Sequence, residues 1–400
     1  MYEKLMSILG IGVLLFIAYL LSENRKAIRW KTIGAGLILQ FLFAVLLLWT
    51  SPGKLMFSAA NDAVLNVIGF ADQGAEFVFS KNLTSTFFVK VLSTIVFFSS
   101  LMSILFYFGI IQKIIGALAR LMVKVMHVSG AEALSTCADV FLGQTESPLV
   151  IKPYLESLTR SEILTMMTAG MASISGGVLA AFVSFGIEAG HLLTASLMSA
   201  PAALLVAKLL LPETEESKTM GKVTVDIEIP DVNVFDAACR GASDGLKLAL
   251  NVMAMLIAFV GLSYLLNHML LLLPNFWGSP LSLERILSWI FTPISYAIGI
   301  EPADVGVFSS LLGKKIILNE FIAYLDLVKL RDQISPRTFT MATYALCGFA
   351  NFGSIAIQIG GTGSLMPSRR EDLARLGLKA MIGGTIATLL SATMAGLLLY

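Results

Sequence analysis

Gly143-Gln144-Thr145-Glu146-Ser147-Pro148 is a polar hexapeptide set between two apolar runs, residues 133–142 and 149–158. Each run has ten residues, where a helix crossing a bilayer needs about twenty. The chain is therefore expected to dip into a membrane and turn back. Gly143 suits the tight reversal, and Pro148, which lacks an N–H, suits the first turn of a returning helix. Irregular backbone at membrane depth persists where protein or a watery cavity satisfies it, so an ionisable Glu146 at this turn marks a site.

The remainder supports a membrane setting. The 400 residues are 56% hydrophobic and 14% charged, with mean hydropathy +0.82, far above ordinary globular composition. Residues 5–21, 33–50, 87–108, 163–187, 192–211, 246–266, 341–359 and 381–399 read as eight transmembrane helices. Their length and continuous apolar character favour α-helices over a barrel, whose strands would alternate. No small-residue cleavage pattern follows 5–21, so this run is expected to be retained as a span. Lys and Arg gather at 25–31, at Lys113, Arg120 and Lys124, at Lys152 and Arg160, and at 369–379. The positive-inside rule places these in the cytoplasm and both termini outside. A net charge of +1 points to no nucleic-acid partner. Cys137, Cys239 and Cys347 are far apart and read as buried structural thiols.

Residues 58–79, 110–127 and 281–300 mix polar and apolar positions at helical spacing and are expected as interfacial helices. Residues 163–187 carry Ser173-Ile174-Ser175-Gly176-Gly177 at their middle, which predicts a broken helix. The hydrophilic stretch 212–236 divides the chain. Beyond it the pattern recurs. Short apolar runs at 305–312 and 321–330 flank Gly313 to Glu320, and the next span is interrupted by Phe349-Ala350-Asn351-Phe352-Gly353-Ser354. Glu146 precedes Ser173 by 27 residues, and Glu320 precedes Asn351 by 31. With the charge-derived topology the hairpins open to opposite sides, giving an inverted repeat. Paired interrupted segments in the two halves point to a secondary transporter's midplane site, where hairpin tips and breaks converge.

At these residues the chain resembles the concentrative nucleoside transporter family, close to its short bacterial members. The matching stretches are Gly143–Pro148, Ser173-Ile174-Ser175-Gly176-Gly177-Val178, Leu318-Asn319-Glu320-Phe321 and Gly348–Ile355, in order over nearly the whole chain. The resemblance implies an all-α membrane protein with eight spans and two oppositely oriented re-entrant hairpins. It also implies a homotrimer in a bacterial inner membrane, importing nucleosides with a cation by an elevator motion of a transport domain against a scaffold. The corresponding division is 1–128 for mostly scaffold, 129–211 for the first hairpin, broken helix and next span, 212–240 for a cytoplasmic linker, 241–301 for scaffold, and 302–400 for the second hairpin, broken helix and last span. Carried over by position, Gln144, Thr145, Glu146 and Val178 face the nucleobase. Glu320, Asn351 and Ser354 take the ribose hydroxyls, with Phe349 nearby. Amides and carboxylates have the donors and acceptors this requires. Asp139, Leu142, Ser173 and Ile174 correspond to a sodium site. Asp139 departs from the Asn usual in sodium-coupled members, so a proton stands as the alternative coupling ion. Gly353 stands where some relatives have Ser.

Structural readings compete at several positions. Glu146 can cap the returning helix, Glu320 can pair with Lys314 or Lys315, and Asp139, Asn351 and Ser354 can satisfy the backbone of their breaks. Phe349 suits packing as well as stacking. His127, His191 and His268 lie near span edges and receive no role. The sequence has no HExxH pattern and no Walker-type loop, and its one GxSxG match, Gly241-Ala242-Ser243-Asp244-Gly245, leads into an apolar helical span rather than following a strand, which argues against an enzyme and against ATP as the driving source. A passive channel wants a continuous polar lining, whereas the polar residues here concentrate at four breaks.

Overall fold

The computed structural model describes residues 2–84, 86–221, 231–275 and 280–399, which are almost entirely helical. Helices α1 (Tyr2–Leu20) and α2 (Trp30–Leu48) are both apolar, and α3 (Ser51–Phe79) follows at once. Thr50 caps α3 by accepting from Gly53 N, with Pro52 in the first turn, as expected of a helix start. The polar stretch expected as several interfacial helices is thus one helix of 29 residues. It buries Val64, Ile68, Ala71 and Ala75, a stripe at helical spacing.

After α4 (Lys81–Thr84), the chain from α5 onward is built twice. A long span, α5 (Phe87–Tyr107), leads into the amphipathic α6 (Ile110–Met126). The first hairpin is α7 (Gly130–Ala138) and a 3-10 arm, Ser147–Ser157. A span broken into α8 (Arg160–Ala172) and α9 (Gly176–Ser184) follows, closed by α10 (Ala189–Leu210). The second unit repeats this order with α11 (Val234–Leu270), α12 (Leu283–Ala297), the hairpin α13 (Val305–Ile317) and α14 (Glu320–Lys329), the broken α15 (Pro336–Leu346) and α16 (Phe352–Leu365), and α17 (Arg370–Leu399). Of the eight expected spans, six are single or kinked helices of sufficient length and apolarity, a seventh is the shorter apolar helix 4–20, and the eighth is divided between α15 and α16.

Several expected boundaries move. The returning arm of the first hairpin is a kinked 3-10 helix, with Ile151 at φ −116° and ψ 20°. Pro148 and Pro153 remove two donors from an arm of eleven residues, so α-helical bonding cannot run through it. In the second hairpin α13 continues through Gly313 to Ile317, which reduces the tip to Leu318 and Asn319. Helix α11 starts at Val234, capped by Asn233, well before the expected 246, and α17 starts at Arg370 rather than near 381. Cys137 and Cys347 are buried as expected, but Cys239 is exposed.

Helices α8, α10 and α17 are buried along most of their length. By contrast α2 and α11 expose large apolar side chains such as Ile38, Leu42, Ile257 and Tyr264, a surface suited to lipid. Small residues bring the second break and α17 close to the first broken span. A β-carbon on Gly348 would lie 2.8 Å from Met171 O, and one on Gly384 would lie 2.8 Å from Met171 Cβ. Gly348→Ala is therefore expected to destabilise the protein by about 1–3 kcal/mol through overpacking, read as a lowered Tm of detergent-purified protein.

Part of the linker is fastened to this core. Ser129 with Glu132, and Thr159 with Glu162, form capping boxes at the starts of α7 and α8. Gly130 N donates to Thr219 O and Ala131 N to Thr219 Oγ1, while Ser217 Oγ donates to Glu162. Lys208 Nζ lies 2.7 Å from Glu132 and 3.5 Å from Glu213. Residues 222–230 of the expected linker lie outside the described residues. Beyond them Asp231 takes two hydrogen bonds from Arg240. The guanidinium holds the Asp231 carboxyl below its ordinary range, so this pair is intact at neutral pH and is lost on strong acidification.

Candidate functional site

The first hairpin turns on one carbonyl. Glu146 N and Ser147 N both donate to Gly143 O, at 2.9 and 3.0 Å, and Gly143 N donates back to Glu146 Oε2 at 3.2 Å. Glu146 thus stands at the start of the 3-10 arm without capping it through its side chain. Its carboxylate closes the preceding turn instead. Asp139 ends α7, and its Oδ1 accepts from Ser147 Oγ at 2.7 Å. Its Oδ2 is buried with no hydrogen-bond partner among the described residues.

The first break, Ser173 to Ser175, lies against this turn. Ser173 and Ser175 are extended, and Gly176 N donates to Phe141 O at 3.1 Å. Asp139, Leu142, Ser173 and Ile174 therefore belong to two segments joined backbone to backbone. Ser173 Oγ donates to Ala169 O at 3.0 Å, which leaves its oxygen lone pairs available. Among the described residues no three His, Cys, Asp or Glu side chains form a metal cluster. One carboxylate, a hydroxyl and backbone carbonyls are ligands suited to a hard cation, and the orphaned Asp139 oxygen fits such a use.

The second hairpin meets the second break in the same way. Asn319 caps α14 by accepting from Ile322 N, which sets Glu320 in the first turn, where a carboxylate is favoured by the helix dipole. Glu320 Oε2 accepts from Asn351 Nδ2 at 2.9 Å, and Asn351 Oδ1 accepts from Ser354 N at 2.8 Å. Asn351 thus caps α16 with its oxygen while its nitrogen holds Glu320. The competing ion-pair reading of Glu320 needs correction. Lys314 pairs with Asp326 at 2.7 Å. Lys315, fully buried, donates to Ala345 O at 2.8 Å and to Thr388 Oγ1 at 3.2 Å. Neither lysine forms a direct ion pair with Glu320 in these bonds.

The two units are joined across the site. Gln144 Nε2 donates to Ser354 Oγ at 3.2 Å, and a β-carbon on Gly361 of α16 would lie 2.7 Å from Thr145 Cγ2. Both hairpin tips and both breaks enclose a cavity of about 430 Å³. Gln144, Thr145, Glu146, Val178, Glu320, Phe349, Asn351 and Ser354 all line it. Its size is within the range of small-molecule sites, roughly 300–1,000 Å³.

One wall escaped the sequence reading. Asp244, Lys247, Asn251, Met255 and Phe259 of α11 complete the lining. The available signal was Asp244, Lys247 and Asn251 at helical spacing within an otherwise apolar span. A second cavity of about 300 Å³ shares Glu146, Ser175, Asp244 and Leu248 with the first and extends between α5, α11 and the first hairpin.

Profiles of known families cover most of the chain. Residues 9–82 match the Na+ dependent nucleoside transporter N-terminus, 88–189 match a nucleoside recognition ("Gate") domain, and 191–396 match the Na+ dependent nucleoside transporter C-terminus. An uncharacterized transporter of Haemophilus influenzae is 46% identical over 98% of this chain and 97% of its own length. Mouse solute carrier family 28 member 3 is 42% identical over 99% of this chain, which spans 59% of the mouse protein. Among solved structures, CNTnw in an inward-facing substrate-bound state superposes with a TM-score of 0.93 at 40% identity, covering 99% of this chain and 97% of that one. An outward-facing CNTnw variant gives 0.94 at 39% identity, covering 100% and 99%. By these family profiles, relatives and superpositions, the chain belongs to the concentrative, Na+ dependent nucleoside transporter family.

Proposed function

We propose that this protein imports nucleosides by symport with a cation, sodium being the first assignment. The observation that carries the reading is one cavity lined by the tips of both hairpins and by both breaks, with amide, hydroxyl and carboxylate groups at its wall. Gln144, Thr145, Glu146 and Val178 form the nucleobase end. Glu320, Asn351 and Ser354 form the ribose end with Phe349 beside it, since a carboxylate next to an amide and a hydroxyl suits vicinal hydroxyls. Asp139, Leu142, Ser173 and Ile174 hold the sodium ion. The two hairpin-containing segments, 129–211 and 302–400, move as a transport domain against a scaffold of 1–128 and 241–301, linked by 212–240, in an elevator-type motion. The working unit is a homotrimer, a multi-pass protein of a bacterial inner membrane with both termini outside.

Proton coupling through Asp139 is the second reading, favoured by the buried Oδ2 without a hydrogen-bond partner among the described residues. Radiolabelled uridine uptake into proteoliposomes, with sodium and pH gradients imposed separately, tests both. Sodium-driven uptake competed by other nucleosides supports the first, and absence of uptake under either gradient rejects nucleoside symport. Glu146→Gln, which exchanges a double acceptor for a donor and an acceptor, is expected to raise KM for uridine by about 10-fold through lost base recognition. Initial-rate uptake over a range of uridine concentrations reads this out.

A further inference from the structure

We infer that Gln358, which does not line the cavity, is a positioning residue that sets which edge of the Gln144 amide faces the nucleobase. The inference rests on the proposed base-facing role of Gln144. Gln358 lies on α16 and is buried, 2% exposed. Its Nε2 donates to Gln144 Oε1 at 3.1 Å and to Met167 O at 3.1 Å. Gln144 Nε2 in turn donates to Ser354 Oγ at 3.2 Å.

The direction of this chain is fixed at its inner end. A backbone carbonyl only accepts, so Met167 O requires the nitrogen of Gln358 to face it. That nitrogen then requires the oxygen of Gln144. Reversing the Gln358 amide would turn its oxygen toward two other oxygens. The amide keeps its nitrogen inward even though its own Oε1 is buried with no hydrogen-bond partner among the described residues. As a result Gln144 turns its oxygen to Gln358 behind the wall and its nitrogen to Ser354 on the wall, so the edge at the cavity is a donor. An independent feature supports the pairing. Gly170 on α8 makes the space for it, because a β-carbon there would lie 2.9 Å from both Gln144 Cβ and Gln358 Nε2.

Nucleobases differ in the edge they offer, uracil presenting an acceptor oxygen at position 4 and cytosine an amino donor, as in the pairing groups of nucleic acids. A locked amide discriminates between them, whereas a freed amide rotates to suit either. Gln358→Leu in proteoliposomes, with labelled uridine uptake competed by uridine and by cytidine, is expected to move the ratio of their inhibition constants toward unity by ~3–10-fold. Gly170→Ala, which forces the pair apart from the other side, is expected to act in the same direction. The cation dependence of uptake stays unchanged in both. A structural loss alone would lower uptake of both nucleosides alike and leave the ratio unmoved.

Gln144→Ala separates the two ways of failing. If Gln144→Ala shifts the ratio but Gln358→Leu and Gly170→Ala do not, Gln358 does not position Gln144 and the inference is overturned. If Gln144→Ala leaves the ratio unmoved, the base-facing reading fails and the inference fails with it. A wild-type ratio already near one overturns the inference as well.

Discussion

Glu320→Ala reduces nucleoside uptake to background, a loss expected to reach about 30–4,000-fold. The size follows from what the carboxylate holds. Its Oε2 takes the Asn351 amide at 2.9 Å in a site only 3% exposed, and removing one partner of a buried charged hydrogen bond costs about 2–5 kcal/mol. Two donors are left facing an empty space: the Asn351 amide and, in the proposed complex, a ribose hydroxyl. Initial rates of labelled uridine uptake in proteoliposomes measure the effect, with size-exclusion elution and Tm showing that the variant is folded. Wild-type uptake by a folded Glu320→Ala protein would remove Glu320 from the substrate site.

Asp139→Asn is expected to alter the ion dependence of uptake. If Asp139 is a sodium ligand, the amide keeps one oxygen donor but loses the charge, and sodium-driven uptake persists with a sodium half-saturation raised by about 10–100-fold, the worth of a charged contact. If Asp139 carries the proton, proton-driven uptake falls by the same order or gives way to sodium dependence. Ser147 distinguishes ionic from structural effects. Its hydroxyl donates to Asp139 Oδ1 at 2.7 Å, and an amide whose oxygen faces Ser147 preserves that bond. A change in ion dependence without a change in Tm therefore reports on coupling. Uptake by Asp139→Asn with unaltered ion dependence would leave Asp139 a satisfier of local backbone alone.

The architecture was legible because its signals were interruptions. Ten-residue apolar runs around Gly143–Pro148 and paired glycines at Gly176-Gly177 mark a hairpin and a break without reference to tertiary structure. The order of such signals in both halves announced the repeat. Every residue assigned to the substrate lines the central cavity, since side chains at the breaks have nowhere else to converge. What stayed hidden depended on packing. Asp244, Lys247 and Asn251 lie on a helix that looks like an ordinary span, and only the placement of α11 across the cavity gives them a use. The second hairpin's true tip was obscured because Lys314 and Lys315 read as a polar loop. Both are helical, one satisfied by Asp326 and the other by Ala345 O and Thr388. Gln358 showed nothing in sequence, because its significance lies in contact with residues 167 and 144.

The two hairpins also differ in stiffness. The second runs through two regular α-helices, whereas the returning arm of the first is a 3-10 helix kinked at Ile151 and interrupted by Pro153. Three-ten bonding has poorer geometry, and each proline deletes a donor. A repeat symmetrical in its topology is thereby asymmetrical in compliance. The arm behind Glu146 can bend without first breaking a full helical ladder, and the arm behind Glu320 cannot. Of the two hairpins whose tips line the cavity, the first is thereby the more pliable and the second the more rigid.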